Sequence, residues 1–133
     1  MINSEIYYNQ LQKKFTRKIN LKLSRIKSFL KKKNIDVNEI KGNVIQVAGS
    51  DGKNAVLQSL FSILLQNKKK VTTFTSPSII SPLDRIQINN KFISLKNFRK
   101  LGNYLINSKS ELTLFEALTL IYILTIIKLK DIN

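Results

Sequence analysis

The sequence predicts an α/β fold, and three successive patterns support this prediction. Residues 44–48, VIQVA, form a β-branched run of the kind that makes a buried strand, and a glycine-bracketed turn, GSDGK, follows at 49–53. Apolar side chains then form one wide face over residues 55–65, which predicts a helix that begins near Lys53. A second β-branched run follows at 71–75. We therefore expect a βαβ unit in which the two strands are parallel and the crossover is right-handed.

Helices and a hairpin are predicted around this unit. Residues 4–33 repeat apolar side chains mostly every three or four positions, which is typical of amphipathic helix. Residues 85–88 and 91–94 are expected to pair as a hairpin across Asn89 and Asn90, because asparagine tolerates the backbone of a tight turn. Residues 95–107 predict another helix. No internal repeat or flexible linker separates these elements.

A last helix is predicted over residues 112–130 and is nearly apolar all round. Its apolar stretch of about 16 residues, with Glu116 inside, is shorter than the roughly 20 residues of a membrane span. We therefore expect a buried core helix and no membrane partner.

Length and composition limit the class of protein. At 133 residues and 15.3 kDa the chain fits one domain. A hydrophobic content of 43% excludes full disorder, and the absence of Cys and His excludes thiolate, zinc-thiolate and imidazole chemistry. The amino terminus has no apolar stretch of the secretory kind, so a cytoplasmic location is expected.

The net charge of +15 has two interpretations. Dense positive charge attracts nucleic acid. However, 19 of the 23 basic residues are Lys, whereas Arg is favoured for bidentate contacts with phosphates and bases. We favour a solvated, lysine-rich surface over a nucleic-acid partner.

The turn at 49–53 carries the strongest chemical signal. It would place backbone N–H groups, a helix N-terminus and the Lys53 ammonium around one small volume that suits a phosphate. The familiar nucleotide-binding signature has four residues between its glycines and a hydroxyl residue after the Lys, and this sequence has neither. A plain strand-to-helix turn with a solvated lysine is therefore the alternative.

Five segments, in order, resemble those of the folylpolyglutamate synthase and dihydrofolate synthase family, a branch of the Mur-ligase superfamily. They are LSRI at 23–26, VAGSDGKNA at 47–55, TSPS at 75–78, DRIQINNKFIS at 84–94 and LTLFEALT at 112–119. The last four resemble the family patterns VAGTNGKGS, TSPH, ERIRINGKPIS and LTFFEALT. The likeness covers most of the chain.

This resemblance implies a P-loop-like, three-layer nucleotide-binding domain of Mur-ligase type, with an added hairpin and flanking helices. Residues 1–133 would be a truncated part of it, in which 1–43 form an amino-terminal helical region and 44–133 hold the phosphate loop. The family is an ATP-dependent, magnesium-requiring ligase that forms an acyl phosphate and joins glutamate to folate or dihydropteroate. The isolated chain is expected to be weak or inactive. The sequence leaves open whether a second chain supplies the missing carboxyl-terminal half.

The resemblance also implies roles for single residues. Lys53 would contact the nucleotide phosphates and would be catalytic together with Glu116. The backbone around the phosphates would come from Gly49, Ser50, Asp51, Gly52, Lys53 and Asn54. Glu116 and Ser76 would hold Mg²⁺, and Arg85 would bind substrate.

Alternatives remain open for three of these residues. Thr113-x-x-Glu116 is also a capping box, in which Glu116 returns a hydrogen bond to the start of its own helix. Ser76 before Pro77 is also compatible with a simple turn. Arg85 would either orient an anionic substrate or pair with Asp84.

The sequence departs from the family patterns at three positions near these residues. Ala55 replaces a hydroxyl that would bind magnesium, and Asn54 replaces a glycine that lets the backbone approach a phosphate. Ser78 replaces a histidine. These changes favour a second interpretation, a degenerate domain that binds nucleotide or a protein partner without catalysis.

Overall fold

Five α-helices and one antiparallel sheet make up the described part of the chain. The structure, a computed structural model, describes residues 2–18, 22–38, 40 and 44–130. The helices are α1 (Ile2–Lys14), α2 (Ser24–Lys32), α3 (Lys53–Gln66), α4 (Leu95–Asn107) and α5 (Leu114–Lys130). The strands are β1 (Thr72–Phe74), β2 (Ile86–Ile88) and β3 (Lys91–Phe92), and a 3₁₀ turn, Pro82–Arg85, leads into β2.

The core forms where α1, α4 and α5 meet. Leu11 of α1, Phe98 and Leu105 of α4 and Ile121 of α5 are all completely buried. The Tyr7 ring stands edge-on to Phe98, with ring centroids 5.9 Å apart. These residues lie on the apolar faces that the sequence periodicity marks, so hydrophobic burial explains why the three helices pack together.

The sheet lies against one side of α5. Its order is β1-β2-β3, and both neighbouring pairs are antiparallel. The Phe74 ring stacks on Tyr122 with centroids 5.3 Å apart and also approaches Phe115 at 6.0 Å. Tyr122 also donates a hydrogen bond to the Thr72 carbonyl at 3.3 Å. The mixture of helix and sheet confirms the α/β class.

The predicted strand at 44–48 and its parallel pairing with 71–75 are wrong for this structure. Residues 44–48 are not a strand, and Val44 and Ile45 are 66% and 64% exposed. In the sheet of the described residues, β1 pairs with β2 in an antiparallel ladder. A β-branched run becomes a buried strand only where a neighbouring strand and covering side chains are supplied, and the described residues supply neither. The βαβ unit therefore does not form here.

Most other element predictions are confirmed. The hairpin closes at Asn89, which takes a left-handed φ of 48°, and α4 has the predicted bounds. The helix after the glycine turn starts at Lys53 as predicted. The single amphipathic pattern over 4–33 is instead two helices, because residues 15–18 are not helical and Thr16 bridges to Thr113. Residues 19–21 of that pattern lie outside the described residues.

The last helix is a core helix, as predicted. Ala117, Leu118, Leu120 and Ile121 of α5 are buried against the rest of the molecule. No helix within the described ranges has the length and apolar character to cross a membrane.

Candidate functional site

The glycine turn places the start of α3 in a distinctive backbone geometry. Gly52 is the residue before α3 and has a left-handed φ of 73°. A Cβ added to Gly52 would meet nothing within 4 Å, so the backbone angle and not a lack of space requires glycine here. In the described part of the chain, no side chain caps the first N–H groups of α3. The turn thus presents unbonded donors at a helix N-terminus.

The Lys53 side chain folds back across this turn. Its Nζ donates a hydrogen bond to the Ser50 carbonyl oxygen at 2.8 Å. The ammonium group therefore lies over the turn that precedes α3. Gly49, Ser50 and Asp51 are exposed and Asn54 is half-buried, so the turn is open to a ligand from solvent.

Ser76 lies just beyond the end of β1 and is exposed. The peptide bond between Ser76 and Pro77 is cis. The preceding residue, Thr75, donates its N–H to the Arg85 carbonyl at 2.9 Å, which ties this end of β1 to the 3₁₀ turn. The Ser76 hydroxyl makes no hydrogen bond within the described residues, so both the turn and the metal interpretations stay open.

Asp84 organises the loop between β1 and β2 and does not pair with Arg85. Its Oδ2 accepts hydrogen bonds from the backbone N–H groups of Ile79, Ile80 and Ser81 at 2.9, 2.6 and 3.2 Å. Ser81 in turn caps the 3₁₀ turn by accepting from the Leu83 N–H. The alternative in which Arg85 is neutralised by Asp84 is therefore wrong.

Arg85 is a buried cation for which the described residues provide no counter-charge. Its residue is 9% exposed, and its Nε and Nη1 atoms have no hydrogen-bond partner among those residues. A buried guanidinium without hydrogen bonds or a counter-charge is strongly unfavourable. This position is consequently suited to an anionic group that the described part of the chain does not provide.

Glu116 is held at the start of α5 by a capping box. Its Oε2 accepts from the Thr113 N–H at 2.7 Å, and its own N–H donates to the Thr113 hydroxyl at 3.2 Å. The carboxylate also forms an ion pair with Arg25 of α2, with 3.4 Å between Arg25 Nη1 and Glu116 Oε2. The capping alternative is confirmed, whereas the magnesium role stays a prediction.

Two of the predicted site residues, Ser76 and Glu116, lie towards the same end of the contact between β1 and α5. Tyr122 contacts Thr72, and Phe115, in the first turn of α5, contacts Phe74. The carboxyl end of β1, which leads to Ser76, therefore lies towards the α5 end that carries Glu116. No hydrogen bond or ion pair in the described ranges links the turn at 49–54 to either residue.

Arg25 is a site residue that the sequence pattern does not single out. It lies in the LSRI segment of the family resemblance, which implies no role for it, and the structure shows that it reaches Glu116.

The described residues contain no cluster of three or more acidic, cysteine or histidine side chains that could hold a metal. A magnesium ion at this end would have one carboxylate and one hydroxyl from the chain, which suits an ion that keeps several waters and binds substrate phosphates.

Comparison with known proteins identifies the class and then the family. The chain is 35% identical over 105 residues to the dihydrofolate synthetase of Saccharomyces cerevisiae, which covers 76% of this chain and 24% of the yeast protein. It is 30% identical over 115 residues to the dihydrofolate synthase/folylpolyglutamate synthase of Haemophilus influenzae, which covers 86% of this chain and 26% of that protein. The relatives are thus folate synthases. The chain is a homologue of the amino-terminal part of the dihydrofolate synthase and folylpolyglutamate synthase family.

The match is limited in extent. The chain spans about a quarter of the length of these two relatives. No protein-family model matches the sequence. No solved structure matches it either.

Proposed function

We propose that this chain supplies the phosphate-binding part of an ATP-dependent ligase that joins glutamate to folate or dihydropteroate. The observation that carries the proposal is the open turn at 49–54, where the first N–H groups of α3 have no side-chain cap and the Lys53 ammonium folds back onto the Ser50 carbonyl. This arrangement suits the oxygens of a triphosphate. The homology to folate synthases supports the same function.

Each predicted residue has a place in this proposal. When ATP binds, Lys53 exchanges its hydrogen bond to the Ser50 carbonyl for contacts with phosphate oxygens. Its ammonium then stabilises the negative charge that develops on these oxygens during the reaction. Ser76 and Glu116 hold Mg²⁺, which would neutralise the phosphates when bound. The P-loop-like, three-layer organisation of Mur-ligase type belongs to the complete assembly, in which a second chain or further sequence covers residues 44–48. We expect the assembly to act in the cytoplasm.

Arg85 is proposed to bind an anionic part of the substrate. The guanidinium is buried, its Nε and Nη1 have no hydrogen-bond partner among the described residues, and Asp84 Oδ2 is committed to three backbone N–H groups. A carboxylate would supply the counter-charge and accept a hydrogen bond from one of these free donors. Folate and glutamate both carry carboxylates, so this requirement agrees with the proposed substrates.

Nucleotide binding tests the proposal directly. We expect Lys53→Ala to weaken the binding of a fluorescent ATP analogue with Mg²⁺ about tenfold or more, since hydrogen bonds to charged groups contribute about 1.5–3 kcal/mol. Lys96→Ala is the matched control, because Lys96 is an exposed lysine in the first turn of α4. Equal affinities for the Lys53→Ala variant and the parent would show that the turn does not bind phosphate.

A second candidate function is favoured by Ala55 and Asn54, namely a degenerate domain that binds nucleotide weakly and does not catalyse. Ala55 is exposed beside the turn and lacks the hydroxyl that would help to hold Mg²⁺, and the Asn54 side chain occupies space near the phosphates.

Restoring the family pattern tests this candidate. The double variant Ala55→Ser and Asn54→Gly is expected to increase Mg-ATP affinity about fivefold, because one ligand is regained and one obstruction is removed. The same titration without Mg²⁺ is the control and should show a smaller gain. An unchanged affinity would argue against degeneration at these two positions.

A further inference from the structure

A basic groove lies between α2 and the loop that joins α4 to α5. Its volume is about 400 Å³. Four cations line it, Arg25, Lys32 and Lys33 from the α2 side and Lys109 from the loop, together with one acidic residue, Glu111. We call this cavity the α2 groove. Its lining gives it a clear excess of positive charge.

The single acidic residue of the α2 groove is already neutralised. Glu111 forms an ion pair with Arg17, which lines a neighbouring cavity of about 380 Å³. In contrast, the ammonium groups of Lys32 and Lys109 have no hydrogen-bond or ion-pair partner in the described part of the chain, and both residues are exposed. Among the described residues, the groove therefore has unpaired cations and no unpaired carboxylate.

These lysines are not needed to cap the helices that end at the groove. The Lys33 N–H donates to the Phe29 carbonyl at 3.0 Å and satisfies the end of α2. At the end of α4, the hydroxyls of Ser108 and Ser110 both donate to the Leu105 carbonyl. Because backbone and serine donors already satisfy these carbonyls, the ammonium groups of Lys32 and Lys109 remain available for a ligand.

The α2 groove reaches the proposed site through Arg25. This residue lines the groove and also pairs with Glu116 at 3.4 Å. A ligand that starts near Glu116 would therefore meet Arg25 first and the lysines further along.

The groove lacks surfaces on which nucleic-acid bases could stack. The aromatic residue in its lining, Phe29, is only 5% exposed. Its ring stands edge-on to Tyr104, which in turn carries the Lys33 ammonium at 5.4 Å from the ring centroid. Single-stranded nucleic acid binding usually combines positive charge with accessible aromatic faces. The lining thus favours a flexible carboxylate chain over a nucleic acid.

We propose that the α2 groove binds the chain of γ-linked glutamates on a folate substrate or product. This inference rests on the proposed function and extends it by assigning the polyglutamate tail to a defined surface. Each γ-linked glutamate adds one carboxylate to an extended chain, and the groove offers the unpaired ammonium groups of Lys32 and Lys109 from its two sides. The charges are complementary, and the free ammonium groups provide the hydrogen-bond donors.

Direct binding of a labelled peptide tests this proposal without ATP or activity. The probe is fluorescein-labelled tetra-γ-glutamate, titrated with the full chain at about 150 mM salt so that distant charges are screened. We expect the double variant Lys32→Gln and Lys109→Gln to weaken peptide binding about tenfold, through the loss of two charge-assisted contacts. The variant with arginine at both positions should retain binding.

A matched control separates the groove from the overall charge. Lys96→Gln and Lys100→Gln remove the same charge from exposed positions of α4 that do not line the groove, and should weaken binding less than about twofold. Lys53→Ala should leave peptide binding unchanged, while the groove variant should leave ATP binding unchanged. The two proposals can therefore fail separately. Circular dichroism confirms that each variant is folded.

Three results would overturn the proposal. The first is equal weakening by the groove and control variants, which would indicate attraction by net charge alone. The second is equal affinity for mono-glutamate and tetra-γ-glutamate, which would exclude a site for a chain. The third is displacement of the peptide by a single-stranded RNA of matched charge at lower concentration than unlabelled peptide, which would assign the groove to nucleic acid.

Discussion

Glu116 shows how a single side chain can belong to two arrangements. Its carboxylate caps α5 through Thr113 and pairs with Arg25 across to α2. Both contacts use Oε2, so they do not by themselves occupy the second oxygen. A carboxylate fixed in this way loses little freedom on binding a metal, which is why the capping role and the proposed magnesium role are compatible.

Tyr122 is a residue whose ionisation should affect stability at high pH. Burial raises the pKa of its phenol above the ordinary value of 10.0, and the hydrogen bond with Thr72 lowers it in part. The folded state therefore favours the neutral phenol, which donates to the Thr72 carbonyl. Its contribution to stability is fully present below pH 10 and is lost as pH rises through the folded-state pKa.

Comparison of the parent with Tyr122→Phe isolates this effect. Above pH 10 the free energy of unfolding of the parent should fall relative to the variant, by up to about 1.4 kcal/mol for each pH unit between the two pKa values. Urea unfolding at pH 7, 9, 10 and 11 measures the free energy of unfolding of both proteins. The titration of the lysines affects both equally and therefore cancels in the difference. A difference that stays constant across this range would show that the Tyr122 phenol does not ionise differently in the two states.

At the scale of elements, the contact between α1 and α4 depends on the absence of a side chain at Gly102. Gly102 is buried, and a Cβ there would collide with the Tyr7 hydroxyl and approach Leu11 Cδ2 at 3.1 Å. Tyr7 is held in place by hydrogen bonds to the Arg99 carbonyl at 3.1 Å and to Asn103 Oδ1 at 2.8 Å. The glycine thus allows two helices to approach closely.

We expect Gly102→Ala to lower the free energy of unfolding by about 1–2 kcal/mol, because overpacking outweighs the roughly 1 kcal/mol by which alanine favours helix over glycine. Urea denaturation measures the change. The same substitution in a Tyr7→Phe background should cost less, since the hydroxyl that collides is absent. A net gain in stability in the parent background would show that α1 can shift away from α4 at little cost.

The segment from 44 to 66 exposes much apolar surface. Within the described residues, the extensive contacts between elements join α1, α4, α5, the sheet and the 3₁₀ turn, and neither α2 nor α3 is among them. Val56 and Ile63 of α3 are 52% and 55% exposed, and Val44 and Ile45 before the turn are 66% and 64% exposed. These apolar surfaces agree with our expectation that the phosphate turn requires further polypeptide around it.

At the scale of the whole molecule, the basic side chains differ in whether a carboxylate neutralises them. Among the described residues, two of the basic side chains, Arg17 and Arg25, form ion pairs with carboxylates. Arg85 is buried without a counter-charge from the described residues. Further cations line the α2 groove, where Arg25 pairs with Glu116. A solvated, lysine-rich surface therefore stays a prediction. The proposed ligands are all anionic, and each would bind a different group of basic residues.

Local pattern was sufficient where local interactions decide structure. The start of α3 after Gly52, the hairpin at Asn89 and the capping box of Glu116 all depend on residues within a few positions of one another. The sequence predicts the first two, and it offers the capping box as the alternative to a metal role for Glu116. The family resemblance was also available from segment order, and the comparisons confirm it.

What the sequence alone determined is the α/β class, the positions of the last three helices and the relationship to dihydrofolate and folylpolyglutamate synthases. Only the tertiary structure decided that 44–48 is not a strand, that Asp84 is committed to backbone N–H groups and that Arg25 reaches Glu116. The reason is physical: turns, caps and helices are set by neighbouring residues, whereas strand pairing, buried charge and ion pairs depend on partners far away in the chain, which no local pattern specifies.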